Sequence, residues 1–314
     1  MNTRFPASHR KTPARLALWT AALLVAMTAA ASAQQSFKSA DEAMSALASA
    51  AKSGDQKAVL AILGKDAEDL VSSGDPVDDQ ATRQRFLAAY EEKHSIEMDG
   101  DTKAVMIVGK DDFPFPIPIL RKGDSWHFDA AAGREEILDR RIGRNELDAI
   151  QAALAYVDAQ NDYADKDRGA GVGVYAQRIV SQPGKKDGLY WPSAQGEEES
   201  PLGELVAEAT ARGYKAGGGR APYHGYYYKI LTKQGAKAPG GELDYVVRGK
   251  MIGGFALVAY PAEYRNSGVM TFLVNHAGTV YQKDLGPKTG QIAERMTAYE
   301  PDPSWQKVDT KDLQ

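Results

Sequence analysis

The chain has 314 residues, 38 basic against 42 acidic side chains, a net charge of −4 and no cysteine. Without cysteine there is no disulfide, no thiol nucleophile, no zinc–thiolate site and no lipid-anchored lipoprotein. The acidic balance argues against nucleic acid as a partner, because phosphate binding needs a basic surface.

Arg4, Arg10, Lys11 and Arg15 precede an apolar run over residues 16–27, and Ala31, Ser32 and Ala33 follow as a small-x-small pattern. This order predicts a signal peptide cleaved after Ala33 and a periplasmic or secreted protein. Removing residues 1–33 takes away four basic and no acidic residues, leaving 34 against 42, a net charge of −8. No later apolar run approaches the roughly 20 residues of a membrane helix, so no stable membrane insertion is expected after cleavage.

Residues 39–53 read as a helix, with Ser39 as N-cap, Glu42 completing a capping box and Gly54 as stop. DQKAVLAIL starts a second helix, SSGDPVDD reads as a connector, and residues 79–94 as a third helix with Phe86, Leu87 and Tyr90 inward. The period then changes to two. SIEM, KAVMIV, FPIPIL and SWHFD are strand candidates, and the prolines place FPIPIL at an edge or in an extended segment. Residues 133–164 carry the longest helical signal, in which Gly143 offers a break or a bend. Loop with a short helix is expected over residues 165–192, then a helix between Pro201 and Gly213. HGYYYKIL, DYVVRGKM, FALVAYP, GVMTFLVN and TVYQKDL are strands of an antiparallel meander, with HAG a hairpin. TGQIAERMTAY closes as a helix, and the tail from Glu300 is expected to be mobile.

The fold class is therefore α+β. The expected division is an N-terminal α+β domain over 34–132, a linking helix over 133–165, a β-rich domain over 166–300 and a tail over 301–314.

GRNELDAIQAALAYVDAQNDYA, GLYWP and the run from YHGYYYKIL to VYQKDLG together resemble a family of secreted bacterial proteins, domain-of-unknown-function family 2950. The resemblance covers nearly the whole mature chain. It implies an exported protein, mostly of Gram-negative bacteria, and supplies no catalytic residues. Arg265 stands where glycine is expected before Asn266-Ser267-Gly268. GFALVAYP, the turn and SGVMTFLVN are also similar, more weakly, to the C-terminal sheet of pilin-like proteins, which makes an assembly or structural component an alternative.

Candidate chemistry is sparse. His94, His127, His224 and His276 have no metal-ligand spacing, and no GxSxG or HExxH occurs. Ser267 lies on a turn rather than a nucleophile elbow. Asp162, Asp165, Asp167 and Gly169 alternate as in a calcium loop but lack the distal bidentate glutamate. The GAGVG and AGGGRAP stretches lack the strand-before, helix-after context of a phosphate cradle. Glu197, Glu198 and Glu199 read as an acidic loop. No metal and no cofactor are expected.

Aromatic content is the feature that points somewhere. Tyr190, Trp191, Tyr223, His224, Tyr226 and Tyr228 are the candidate binding residues, with Tyr226 and Tyr228 on one strand face and Tyr227 on the other. The expectation is a non-catalytic envelope module binding a protein or a cell-wall polymer. A hydrolase whose site is assembled from dispersed residues is the alternative.

Overall fold

The computed structural model describes residues 34–215 and 221–311. The leader assigned to residues 1–33 and most of the AGGGRAP glycine run lie outside the described residues.

Helix α1 (Ala40–Ser53) begins as its capping residues require: Ser39 Oγ accepts from Glu42 N, and Glu42 reaches back to Lys38 N. Helix α2 (Gln56–Leu63) is capped by Asp55, and a 3-10 turn leads into the short α3 (Glu68–Val71). Helix α4 (Pro76–Glu92) starts earlier than the expected residue 79, because Asp75 caps the amides of Val77 and Asp78 and Pro76 occupies the first turn.

Strands β1 (His94–Asp99), β2 (Lys103–Val108), β3 (Phe113–Pro114), β4 (Ile119–Lys122) and β5 (Ser125–Phe128) form an antiparallel sheet in the order β1-β2-β4-β5, with β3 also on β2. The proline-rich run is thereby split: Pro116 and Pro118 lie between β3 and β4, off the ladder they could not donate to. Met44, Leu47, Ile62, Met106, Ile119 and Phe128 form the core between these helices and the sheet.

Helix α5 (Ala130–Ala164) runs through Gly143 without interruption. The segment from 165 to 202 contains no helix, in contrast to the sequence expectation. Gly169, Gly171 and Gly173 all take positive φ there, and Asp167 folds the loop by accepting from Gly169 N and Gly171 N.

After α6 (Gly203–Ala211) come β6 (Tyr226–Leu231), β7 (Lys233–Gln234), β8 (Leu243–Asp244), β9 (Val246–Val247), β10 (Lys250–Met251), β11 (Ala256–Pro261), β12 (Met270–Asn275), β13 (Tyr281–Asp284), α7 (Thr289–Arg295), β14 (Ala298–Tyr299) and β15 (Gln306–Lys307). The expected single strand DYVVRGKM is broken, because Arg248 at φ 51° and Gly249 at φ 79° make a tight turn between β9 and β10.

The main sheet runs β15-β13-β12-β11-β6. Nearly every residue of β11 and β12 is buried, so both faces are covered. Helix α5 covers the face bearing Phe255, with the Tyr156 ring 5.6 Å from it. Helix α7 covers the face bearing Lys229, whose Nζ donates to the carbonyls of Glu294 and Met296. The tail is docked rather than mobile: β15 pairs with β13, Trp305 is buried, and Val308 N donates to Val280 O at 2.9 Å. Those contacts occupy the edge of β13 that would otherwise lie open.

Arg265 takes φ 62°, in the region that favours glycine. Replacing it with glycine relieves backbone strain of about 1–2 kcal/mol, partly offset by a more flexible unfolded chain. The expected result is a gain of about 0.5 kcal/mol, read as a higher urea midpoint at unchanged slope. A loss instead would show that the Arg265 guanidinium over the Tyr264 ring, at 5.6 Å, outweighs the backbone term.

Candidate functional site

Tyr223, His224, Gly225 and Tyr226 form a two-residue hairpin. Tyr223 and Tyr226 exchange both backbone hydrogen bonds, and His224 and Gly225 take φ 50° and 71°. This is the type I′ geometry, in which His-Gly stands where Asn-Gly is commonest.

The turn is held from three sides. Gly225 N donates to Asp75 Oδ2 at 3.0 Å, and the Tyr214 hydroxyl donates to the same oxygen at 2.8 Å. His224 N donates to the Tyr214 hydroxyl at 3.3 Å. His224 Nδ1 lies 2.8 Å from Asp148 Oδ2 on α5, and Nε2 lies 3.3 Å from an Arg212 guanidinium nitrogen. Arginine can only donate, so Nε2 accepts and Nδ1 carries the proton given to Asp148.

Beyond the turn lies a cavity of about 850 Å³. Tyr156, Tyr214, Tyr223, Tyr227, Tyr228 and Tyr260 stand in its wall, with Ile179, Val180, Leu205, Val206 and Leu257 between them. Strand β6 is the edge of the main sheet, and the cavity straddles it. The register sets Tyr228 opposite Ala259 on the face that carries Leu257, and Tyr227 opposite Tyr260 on the other, yet both tyrosines line the same space. The Tyr214 and Tyr223 rings meet edge-on at 5.0 Å, and the Tyr227 and Tyr260 rings lie tilted at 5.7 Å.

Burial raises the phenol pKa of Tyr223 and Tyr228, and that of Tyr214 with the Asp75 carboxylate adding to it. These hydroxyls therefore stay protonated donors at physiological pH. The wall offers ring faces, aliphatic surface and phenolic donors, a lining suited to recognition.

The candidate residues separate in space. Tyr223 and Tyr228 wall the cavity, and His224 adjoins it through Tyr214 and Tyr223. Tyr226 is fully buried, its hydroxyl donating to Met270 O at 3.0 Å and its ring against Phe272. Trp191 is buried in the same core as Tyr226 but off the cavity wall, with Arg168 and Lys186 over its ring and its Nε1 donating to Glu198 O. Tyr190 is not among the wall residues; its backbone bonds to Ile179 and Ser181, and its side chain packs against the core beneath.

The remaining candidates have structural partners. Ser267 is fully buried, donating to Glu263 O and accepting from Glu263 N. Glu198 gathers Arg168, Lys166 and Lys186 rather than a second carboxylate. Among the described residues no group of histidine and carboxylate side chains could hold a metal ion.

A family model described as "Protein of unknown function (DUF2950)" matches residues 34–308. The chain belongs to this family. The matched span includes every cavity residue. No curated protein and no solved structure matches the chain.

Sequence reasoning missed Tyr156, Tyr214, Tyr227, Tyr260, Asp75 and Asp148 as contributors. One signal was present: Gly225 supplies the second left-handed position that a type I′ turn needs, and it marks where β6 begins.

Proposed function

We propose that the mature protein is an exported, non-catalytic binding module of the bacterial envelope, taking its ligand in the tyrosine-walled cavity at the β6 edge. The observation that carries this reading is the convergence of six tyrosines from α5, the segment between α6 and β6, β6 itself and β11 on one space of about 850 Å³. Ring faces beside aliphatic walls suit a segment of an envelope protein or the sugar rings of a cell-wall polymer. The leader-like residues 1–33 support export, to the periplasm or beyond it.

The test is calorimetry of residues 34–314 against muropeptides and envelope-derived peptides. A ligand found this way is expected to bind at least about tenfold more weakly to Tyr228→Ala, roughly the loss of one stacked or buried aromatic contact. Trp191→Phe, outside the cavity, is expected to leave its affinity unchanged. Equal weakening by both would place the site elsewhere.

One observation favours the hydrolase alternative: a carboxylate-held imidazole, Asp148 with His224, beside the cavity. Against it, the Nε2 lone pair that a general base needs already accepts from Arg212. Equal turnover by the unaltered protein and by His224→Ala would remove His224 from that alternative.

A further inference from the structure

We propose that the cavity's ligand is an extended peptide, and that it binds by adding a strand to the outer edge of β6. The inference rests on the binding reading above and names the class of ligand. Its basis is the direction of the β6 backbone. Ala262 N donates to the Gly225 carbonyl, and the antiparallel register then points the backbone groups of Tyr227, Lys229 and Leu231 toward β11. The intervening residues point away from β11. Two of them confirm it: Tyr226 bonds to Tyr223 across the hairpin, and Thr232 O accepts from Tyr245 N.

Tyr228 and Ile230 lie between those two. Their N–H and C=O groups face outward on the same edge and have no hydrogen-bond partner among the described residues. Tyr228 is itself in the cavity wall, with Tyr227 and Lys229 reaching the same space from the other face of the strand. The outward groups at 228 and 230 therefore repeat at about 7 Å, the two-residue step of a strand. A partner strand meets that repeat with its own donors and acceptors, and its alternating side chains fall toward the two sets of tyrosines.

This decides between occupants. A purely apolar ligand would leave half-buried backbone donors and acceptors unmet, each an unfavourable outcome. A peptide backbone pairs them.

The experiment uses residues 34–314 and two probes. The first is a capped peptide of alternating valine and threonine with a lysine at each end. The second has the same side chains with every valine and threonine amide N-methylated, so that neither of its edges can donate. The parent peptide is expected to bind, and the methylated one at least about tenfold more weakly. Ile230→Pro removes one outward donor while leaving the β11 ladder untouched, and is expected to weaken the parent peptide alone. The comparison of the two peptides on the unaltered protein needs no variant, so it stands even where Ile230→Pro does not fold.

Equal binding of both peptides would overturn strand addition and leave the cavity a side-chain pocket. Binding of muropeptide but of neither peptide would overturn it too, while the binding reading stands. A dimer of the free protein that Ile230→Pro dissociates would give the edge to a second copy of this chain and overturn the peptide assignment. No ligand of any kind would sink the binding reading itself.

Discussion

Asp75→Ala lowers the stability of the protein by about 2–4 kcal/mol and loosens the cavity wall together with the fold. The Asp75 side chain is almost fully buried and serves two parts of the chain at once. One oxygen, Oδ1, caps α4 by accepting from Val77 N and Asp78 N. The other, Oδ2, accepts from Gly225 N and from the Tyr214 hydroxyl. Loss of the cap costs about 1 kcal/mol. Leaving a buried N–H without an acceptor costs about 1–3 kcal/mol more. Gly225 has no alternative conformation to offer: it sits at φ 71°, and a Cβ there would lie 2.6 Å from Asn145 Nδ2.

Asp75→Asn keeps one acceptor for the cap but turns an amide donor toward two other donors, so about 2 kcal/mol of the loss is expected to remain. Urea unfolding of both variants, with Tyr214→Phe and the Asp75→Ala/Tyr214→Phe pair, reads the coupling directly. A double variant no worse than Asp75→Ala is the expected outcome. A loss below about 1 kcal/mol for Asp75→Ala would mean the junction is held by other groups.

Much of the secondary structure was legible because its causes are local. Ser39 with Glu42 starts α1, and apolar residues without interruption from Phe255 to Pro261 report a strand covered on both faces. Where reading went astray, a long-range partner decided. Residues 75–78 look like a turn until Asp75 is seen as a cap. The tail looks free until Trp305 and the open edge of β13 are seen together.

The site was less legible, for a related reason. Tyrosine content in the second half signals recognition, but composition cannot separate Tyr226, sealed against Phe272, from Tyr228 at the cavity two residues on. Strand alternation misleads at an edge, because a cavity that wraps around the edge uses residues from both faces. Trp191 shows the opposite error: an aromatic beside a tyrosine reads as exposed recognition surface, yet buried Arg168 lies over its ring.

Arg141→Met is expected to cost about 3–5 kcal/mol, the second large effect. Arg141, about a third of the way along α5, is buried and ties together segments far apart in sequence. Its guanidinium donates to Asp69 O at 2.6 Å, to Leu70 O at 2.7 Å and to Asn266 Oδ1. The first two carbonyls belong to the last turn of α3, which the four-residue helix cannot satisfy itself. Asn266 in turn donates to Ser72 O and to Glu263, so the β11–β12 turn depends on the same cation.

Burial pulls the Arg141 pKa below its ordinary value, with Asp79, Asp78 and Asp69 opposing that shift, but a guanidinium remains charged throughout. Methionine fills the volume of the stem and supplies no donor, so three acceptors lose their partner at once. Lysine restores the charge as a point rather than a fork, and is expected to recover less than half of the loss. Hydrogen exchange separates this from general destabilisation. Amides of residues 68–73 and 263–268 are expected to lose protection in Arg141→Lys before those of β2 or β12 do. Uniform loss across both cores would show that Arg141 contributes only to global stability and does not hold these two turns against each other.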